Sequence, residues 1–227
     1  METRFRKHAT IVGSLALLAT PAHAGTVIAS ADARGRGPNS PTIPDSTATS
    51  NLAIGPVDGS DEYFRSFLTF DLTSESVATG TTTLTLSGSG FGSGSDEDNT
   101  TALAQTFTLY SLGSDWNNAA APGPAPGTIL DMTDLTVATG DDTQDLIFGS
   151  TGLTTVFNDA FNNSDPLYLG ISSSGESSAL GTRSFKWFGS TEDSGAEPVI
   201  SYTAIPEPSS ALVLGGFWLL ALLHRRR

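Results

Sequence analysis

Alternation of apolar and polar residues constrains the fold of this chain more than any other sequence feature. In a segment over 64–72, Phe64, Leu68 and Phe70 share one side of a predicted strand, while Arg65 and Phe67 share the other. The same period of two predicts strands over 26–33, 81–86, 105–112, 133–138, 145–148, 166–172, 183–188 and 198–203. Among their side chains we expect these to face inward: Thr82, Leu84, Leu86, Leu167, Leu169, Ile171, Phe185, Trp187 and Val199.

One segment follows a helical period instead. Leu153, Val156, Phe157 and Ala160 recur at helical spacing, so we predict a short helix over 151–161. The central chain is rich in Thr, Ser and Gly and poor in Lys and Glu, a composition that favours strands and turns. About nine short strands and one helix predict a mainly β fold, a two-sheet antiparallel sandwich of the jelly-roll kind.

The amino-terminal segment has the layout of a secretory signal peptide. Arg4, Arg6 and Lys7 precede an apolar run over 11–19, and the small residues Ala22 and Ala24 then provide a cleavage site after Ala24. We therefore predict a signal peptide over 1–24 and export by the Sec machinery.

The carboxyl-terminal segment, 204–227, contains an apolar run over 211–223. A helix of that length spans about 20 Å, short of the roughly 30 Å hydrocarbon core of a bilayer. The arginines that follow resist translocation and keep this end cytoplasmic. A lasting membrane anchor is one interpretation of this hydrophobic helix. The residues that flank the run are Pro206, Glu207 and Pro208 before it, and Arg225, Arg226 and Arg227 after it.

This order of Pro-Glu-Pro, apolar helix and terminal arginines resembles the PEP-CTERM sorting signal of Gram-negative bacteria. The resemblance implies recognition by an exosortase, transient association with the inner membrane and removal of the helix near Pro206-Glu207-Pro208. It also implies a destination at the cell surface or in the extracellular matrix, where such proteins accompany exopolysaccharide and biofilm production. Hydrophobic tails that are discarded after sorting follow the same logic in other secreted proteins.

The segment between the two signals, 25–203, is long enough for one domain with a sizeable core. It is strongly acidic, because it holds 22 of the 24 acidic residues and only five cationic residues, which gives a formal charge of −17. Such a surface repels phosphate backbones, so we expect no nucleic-acid partner. The five cationic residues are Arg34, Arg36, Arg65, Arg183 and Lys186.

The same segment contains neither histidine nor cysteine, because His8, His23 and His224 all lie in the two terminal signals. A Ser-His-Asp triad, a cysteine nucleophile and a histidine-ligated zinc site are therefore excluded from it. A carboxylate pair of the glycoside hydrolase type is the enzymatic alternative that remains. We expect a protein that is not an enzyme.

Two kinds of ligand site are candidates. Trp116 and Asn117 lie in a Pro/Gly/Ala-rich loop, where an indole ring beside amides suits stacking on a sugar. The alternative is a tryptophan folded back onto the sandwich edge. Acidic loops offer oxygen ligands that calcium prefers, and a solvated acidic turn is the alternative there. The candidate calcium ligands are Asp96, Asp98, Asp141 and Asp142.

Arg65 is the only cationic residue between Arg36 and Arg183. We expect it to form an ion pair with an acid such as Glu192, rather than to bind a ligand.

Several segments also resemble DNRLRE-type domains, akin to carbohydrate-binding module family 96. They are 51–55 (NLAIG), 65–72 (RSFLTFDL), 84–86 (LTL), the loop around Trp116, the predicted helix, 185–192 and 198–202 (PVISY). The long loops over 87–100 and 119–126 depart from the pattern. The resemblance implies a β-sandwich that associates with polysaccharide and is often non-catalytic. We therefore expect an exported matrix protein that binds extracellular polysaccharide, or else a polysaccharide-degrading enzyme or a purely structural surface protein.

Overall fold

A computed structural model describes residues 23–37, 52–57, 62–89, 102–113, 115–116, 127–139, 143–177 and 184–204. All of them fall within one compact unit, Ala22–Ile205. The elements are β1 (His23–Ile28), β2 (Ala31–Gly37), β3 (Leu52–Val57), β4 (Glu62–Phe70), β5 (Ala78–Leu86), β6 (Leu103–Ser111), β7 (Ile129–Val137), β8 (Leu146–Ser150), α1 (Thr151–Asn163), β9 (Leu167–Ser173), a 3-10 helix (Ser174–Ser177), β10 (Lys186–Phe188) and β11 (Val199–Ala204).

The strands form two antiparallel sheets. The small sheet has the order β1-β11-β5-β8. In the large sheet, β4 pairs with β2 along one edge and with both β3 and β9 along the other edge. β10 pairs with β3. β6 pairs with β9, and β7 follows β6 at the end of the sheet. The main apolar core lies between the sheets. The predicted mainly β sandwich with one helix is therefore confirmed.

The period of two identified most inward side chains correctly. Leu68 and Phe70 of β4 belong to the main core, and so do the predicted leucines and Ile171 of β5 and β9. Thr82 is also fully buried. Phe185 and Trp187 are buried as predicted, but they form a separate aromatic cluster with Phe64 and Ala53.

Three details of the predicted strands are wrong. The single strand over 26–33 is two strands in different sheets, because Ala29 N–H donates to Pro198 O while the next N–H, of Ser30, donates to Thr69 O. Val199 is half-buried and faces outward, whereas Ile200 is fully buried, so the inward register of β11 is shifted by one residue. β3 was not predicted, since Leu52–Pro56 are all buried and show no alternation.

Helix α1 confirms the predicted helix and is capped at both ends. The Ser150 hydroxyl accepts a hydrogen bond from Leu153 N–H at its start, the usual N-cap arrangement. Leu153 and Phe157 are buried against the core. At the other end Ser164 adopts a left-handed conformation with φ of 58°, which turns the chain sharply into β9.

Two polar side chains of α1 attach it to β5. The Asn158 amide donates to Ala78 O at 2.9 Å and accepts from Ala78 N–H at 2.8 Å. The Thr154 hydroxyl donates to Gly80 O and accepts from Thr82 N–H. These bonds fix the position of the helix and of the turn that follows it.

Among the described residues, no helix combines the length and the apolar character needed to cross a membrane. The helix predicted over 211–223 lies outside the described residues.

Candidate functional site

The turn between α1 and β9, Ser164 to Pro166, lies between two open clefts. The first has a volume of about 640 Å³ and the second of about 440 Å³, and both include Asp165 and Pro166 in their walls. The first is otherwise lined by Ser30, Thr69, Asp71, Leu72, Thr73, Phe161 and Ser164. The second is otherwise lined by Ser111, Leu112, Gly113, Val156, Asp159, Ala160, Asn163, Leu167 and Tyr168. We call them together the turn clefts.

The first cleft combines an ionised carboxylate with apolar surface. Thr73 N–H donates to Asp71 Oδ1 at 3.0 Å, and this hydrogen bond lowers the pKa of Asp71 below its ordinary value. Asp71 is exposed, and the apolar residues Phe161 and Leu72 line the same cleft. The carboxylate is therefore suited to accept hydrogen bonds from the hydroxyl groups of a ligand.

The second cleft has a half-buried tyrosine beside polar side chains. Tyr168, Asp159 and Asn163 all line it. A cleft whose walls include a part-exposed aromatic residue and residues with carboxyl and amide groups is suited to the apolar face and the hydroxyls of a sugar.

Behind Tyr168 lies a second, buried group of side chains, which we call the outer aromatic cluster: Ala33, Phe67, Tyr110, Leu112 and Trp116. It occupies the side of the large sheet that faces away from the main core, because Phe67 alternates with the core residues Leu68 and Phe70 along β4. Tyr168 packs against this cluster. The cluster therefore supports the wall of the second cleft.

Trp116 belongs to this buried cluster. Its side chain is 2% exposed and its ring stacks on Phe67 with centroids 6.4 Å apart and an interplanar angle of 30°. Of the two alternatives for this residue, the structure shows the tryptophan folded back onto the sandwich. It packs in the cluster behind Tyr168 and is not among the residues that line the turn clefts. Asn117 lies outside the described residues.

Two buried polar atoms of the cluster have no hydrogen-bond partner among the residues that the structure describes. They are Tyr110 Oη and Trp116 Nε1. Burial raises the pKa of Tyr110, so its phenol stays protonated in water. The Tyr110 ring lies over Gly170, where an added Cβ would clash with the ring.

Arg65 forms an ion pair, as expected, but with a different acid. Its Nε and Nη2 donate to Glu176 Oε1 and Oε2 at 3.0 and 2.7 Å, and both side chains are 15% exposed. The prediction of Glu192 as the partner is wrong, because the 3-10 helix after β9 presents Glu176 to β4. Burial opposes the charge of Arg65, but the hydrogen bonds and charge of Glu176 outweigh it, so the pKa of Arg65 is raised.

The remaining predicted site residues lie mostly outside the described part of the chain. The candidate calcium ligands Asp96, Asp98, Asp141 and Asp142 are among them. Within the described ranges no group of three or more metal-ligating side chains comes together. Ala24 lies in β1, opposite Thr203 of β11. The other sorting residues lie outside: Ala22, Pro206, Glu207, Pro208, Arg225, Arg226 and Arg227.

Sequence reasoning did not find the turn clefts, because their walls come from segments that are far apart in the chain. Asp71 and Asp165 are separated by most of the domain and meet in one cleft only through the sandwich. The one local signal was the polar sequence Asn-Asn-Ser-Asp-Pro over 162–166, which ends the helix.

No protein-family model and no curated protein matches the chain.

Proposed function

We propose that this protein is an exported, non-catalytic component of the extracellular matrix that binds polysaccharide in the turn clefts. The observation that carries the proposal is the half-buried Tyr168, which lines an open cleft beside Asp159 and Asn163. Stacking on a pyranose ring needs an aromatic face with apolar area, and hydrogen bonding to sugar hydroxyls needs carboxyl or amide groups near it.

The charge of the domain favours a neutral polysaccharide over an acidic one. Residues 25–203 carry a formal charge of −17, and the clefts themselves contain Asp71, Asp159 and Asp165. An acidic polymer would be repelled by this field at low ionic strength.

The clefts also contain carboxyl groups, which is what the alternative of a glycoside hydrolase requires. A general acid in such an enzyme needs a raised pKa, whereas the pKa of Asp71 is lowered by the Thr73 N–H. This difference argues against Asp71 as the general acid. Release of reducing sugar from the strain's polysaccharide by the purified protein, and its loss in Asp165→Asn, would support the enzyme instead. Self-assembly of the protein without added polysaccharide would support the purely structural alternative.

Sorting is the second part of the proposal. We infer that the signal peptide over 1–24 directs export across the inner membrane of a Gram-negative bacterium. An exosortase-type enzyme then removes the helix over 211–223 after a transient membrane tether. Mass spectrometry of the protein from culture medium and cell envelope tests this, with termini expected at Gly25 and near Pro206-Glu207-Pro208. An intact block of Arg225, Arg226 and Arg227 in the mature protein would support a lasting anchor.

Affinity electrophoresis tests the binding site. Gels that contain the exopolysaccharide of the producing strain should retard the exported protein, and Tyr168→Ala should weaken this binding about tenfold, since loss of one stacked ring costs about 1.4 kcal/mol. The matched control is Tyr63→Ala, because Tyr63 is also half-buried but lies at the opposite end of β4 from Thr69. Equal retardation of both variants and the unchanged protein would contradict the proposed site.

A further inference from the structure

In the strands that the structure describes, the outward side of the small sheet carries no charged side chain. Cross-strand pairing places Ile28, Val199, Thr85 and Ile147 in one row, and Thr26, Ser201, Thr83 and Gly149 in the next. Thr203 and Thr79 form a third pair beyond them, and Thr81 follows along β5. We call these eleven residues the threonine face, since six of them are threonine.

The threonine face is open to solvent. Ile28 is 54% exposed and Ile147 50%, at opposite edges of the sheet. Four of the hydroxyl residues, Thr26, Thr81, Ser201 and Thr203, are also exposed. The Thr81 and Thr83 side chains lie within 3.7 Å of the position that a Cβ of Gly149 would occupy, so they pack beside this glycine on the same side of the sheet.

A neutral face is unexpected on this protein. The chain has 24 acidic residues and a net charge of −13, yet none of the acidic residues that the structure describes lies on the threonine face. Acids do lie at its border, because Asp131 of β7 accepts a hydrogen bond from Gly149 N–H at 2.7 Å. A surface without charge avoids the cost of removing ions from water when it docks, so it fits a neutral partner.

The size of the face argues against a second copy of the chain as its partner. Four strands about 4.8 Å apart and three rows about 6.8 Å apart cover about 400 Å². A stable protein interface buries about 800 Å² on each partner. A polysaccharide fibre offers the same contact many times along its length, so a smaller and weaker contact is sufficient to retain the protein.

We propose that the threonine face is a second docking surface, and that its partner is a neutral polysaccharide fibre. Threonine and serine hydroxyls donate and accept hydrogen bonds with sugar hydroxyls, and the methyl groups of threonine and isoleucine pack against sugar C–H groups. The inference rests on the proposed polysaccharide-binding function and extends it. The threonine face and the turn clefts share no residue, so one molecule bridges two polymers and cross-links the matrix.

Sedimentation with microcrystalline cellulose, an insoluble neutral polysaccharide, tests the inference with the exported protein. Ser201→Glu and Ser201→Lys place a charge of either sign near the centre of the face, and each should weaken sedimentation about tenfold. Ser201→Asn keeps a neutral hydrogen-bonding group and should bind like the unchanged protein. The matched control is Thr136→Glu, because Thr136 is an exposed threonine on β7, an edge strand of the large sheet. Thermal unfolding of each variant separates loss of binding from loss of folding.

The outcomes distinguish this inference from the proposed function. Weaker sedimentation of both charged variants, in a protein whose retardation in the exopolysaccharide gel still depends on Tyr168, supports a second face. Sedimentation of folded Ser201→Glu equal to that of the unchanged protein overturns the inference, and so does an unchanged protein that does not sediment with cellulose. A dimer in the unchanged protein that Ser201→Glu dissociates also overturns it, because the face is then an interface between copies. The turn clefts are tested separately, by the weaker retardation of Tyr168→Ala in the exopolysaccharide gel. None of the sedimentation outcomes changes that result.

Discussion

The burial of Trp116 gives the sharpest prediction about the support of the turn clefts. The Trp116→Ala substitution removes a side chain that is 2% exposed and stacked on Phe67. Truncation of a buried tryptophan to alanine costs about 3–5 kcal/mol of stability. Part of this cost is offset, because the indole N–H is buried without a partner among the described residues and its removal regains about 1–3 kcal/mol. We therefore expect a loss of about 2–3 kcal/mol in the free energy of unfolding.

Urea unfolding followed by far-ultraviolet circular dichroism measures this loss without relying on tryptophan fluorescence. The Trp116→Phe variant is the control, since it keeps a ring against Phe67 and deletes the orphaned N–H, and we expect its stability within about 1 kcal/mol of the unchanged protein. Trp116→Ala should also weaken polysaccharide binding, because Tyr168 packs against the cluster that Trp116 completes. A stability loss below about 0.5 kcal/mol, with binding abolished, would refute this reasoning and identify Trp116 as an exposed sugar platform.

Three further predictions concern other parts of the domain. Glu176→Gln should lower the free energy of unfolding in urea by about 2 kcal/mol, because it leaves the largely buried Arg65 guanidinium poorly paired. The control Glu192→Gln should change it by less than about 0.5 kcal/mol. Equal effects of the two substitutions would contradict the assigned ion pair. Gly170→Ala should lower the free energy of unfolding by about 2 kcal/mol, because the added Cβ would clash with the Tyr110 ring. A second substitution, Tyr110→Leu, in the same protein should restore part of that loss. An unchanged stability of Gly170→Ala would contradict the packing. Burial raises the pKa of Asp32, although hydrogen bonds from Thr191 oppose this shift. The carboxyl group of Asp32 therefore binds its proton more tightly in the folded state than in the unfolded state. The free energy of unfolding should fall as the pH rises from about 4 through the raised pKa. Asp32→Asn should remove this dependence, and an unchanged pH profile of the unfolding free energy would contradict it.

The sequence predicted those parts of the fold that depend on local pattern. The alternation in β4 identified both of its faces, and the spacing of Leu153 and Phe157 identified α1, because each periodicity is a direct consequence of the backbone geometry. The capped ends of α1 agree with its polar flanking residues.

The parts that were missed depend on contacts between distant segments. β3 shows no alternation because it is buried on both sides, and it contains Gly55 at φ of 125° followed by Pro56. The register of β11 depends on which of two adjacent apolar residues, Val199 or Ile200, packs against the other sheet. Valine and isoleucine are both apolar, so the residue types do not show which of the two faces the core.

The candidate site was the least predictable feature for the same reason. Trp116 was a reasonable candidate because it lies beside amides in a Pro/Gly/Ala-rich loop. Whether a loop tryptophan packs inward depends on an apolar partner such as Phe67 on the outer side of a sheet. Tyr168 gave no signal of its own, since it alternates with inward leucines in an ordinary strand pattern. Only the folded chain brings it beside Asp159 and Asn163.

The most direct test of the proposed binding site is a titration followed by nuclear magnetic resonance. Isotope-labelled protein is titrated with oligosaccharides from the exopolysaccharide of the producing strain, and backbone amide shifts are mapped onto the sandwich. We expect the largest shifts at Asp71, Thr73, Asp159, Asp165 and Tyr168, which surround the turn clefts. Shifts that are absent at millimolar oligosaccharide, or that are confined to strands remote from the turn between α1 and β9, would contradict the account.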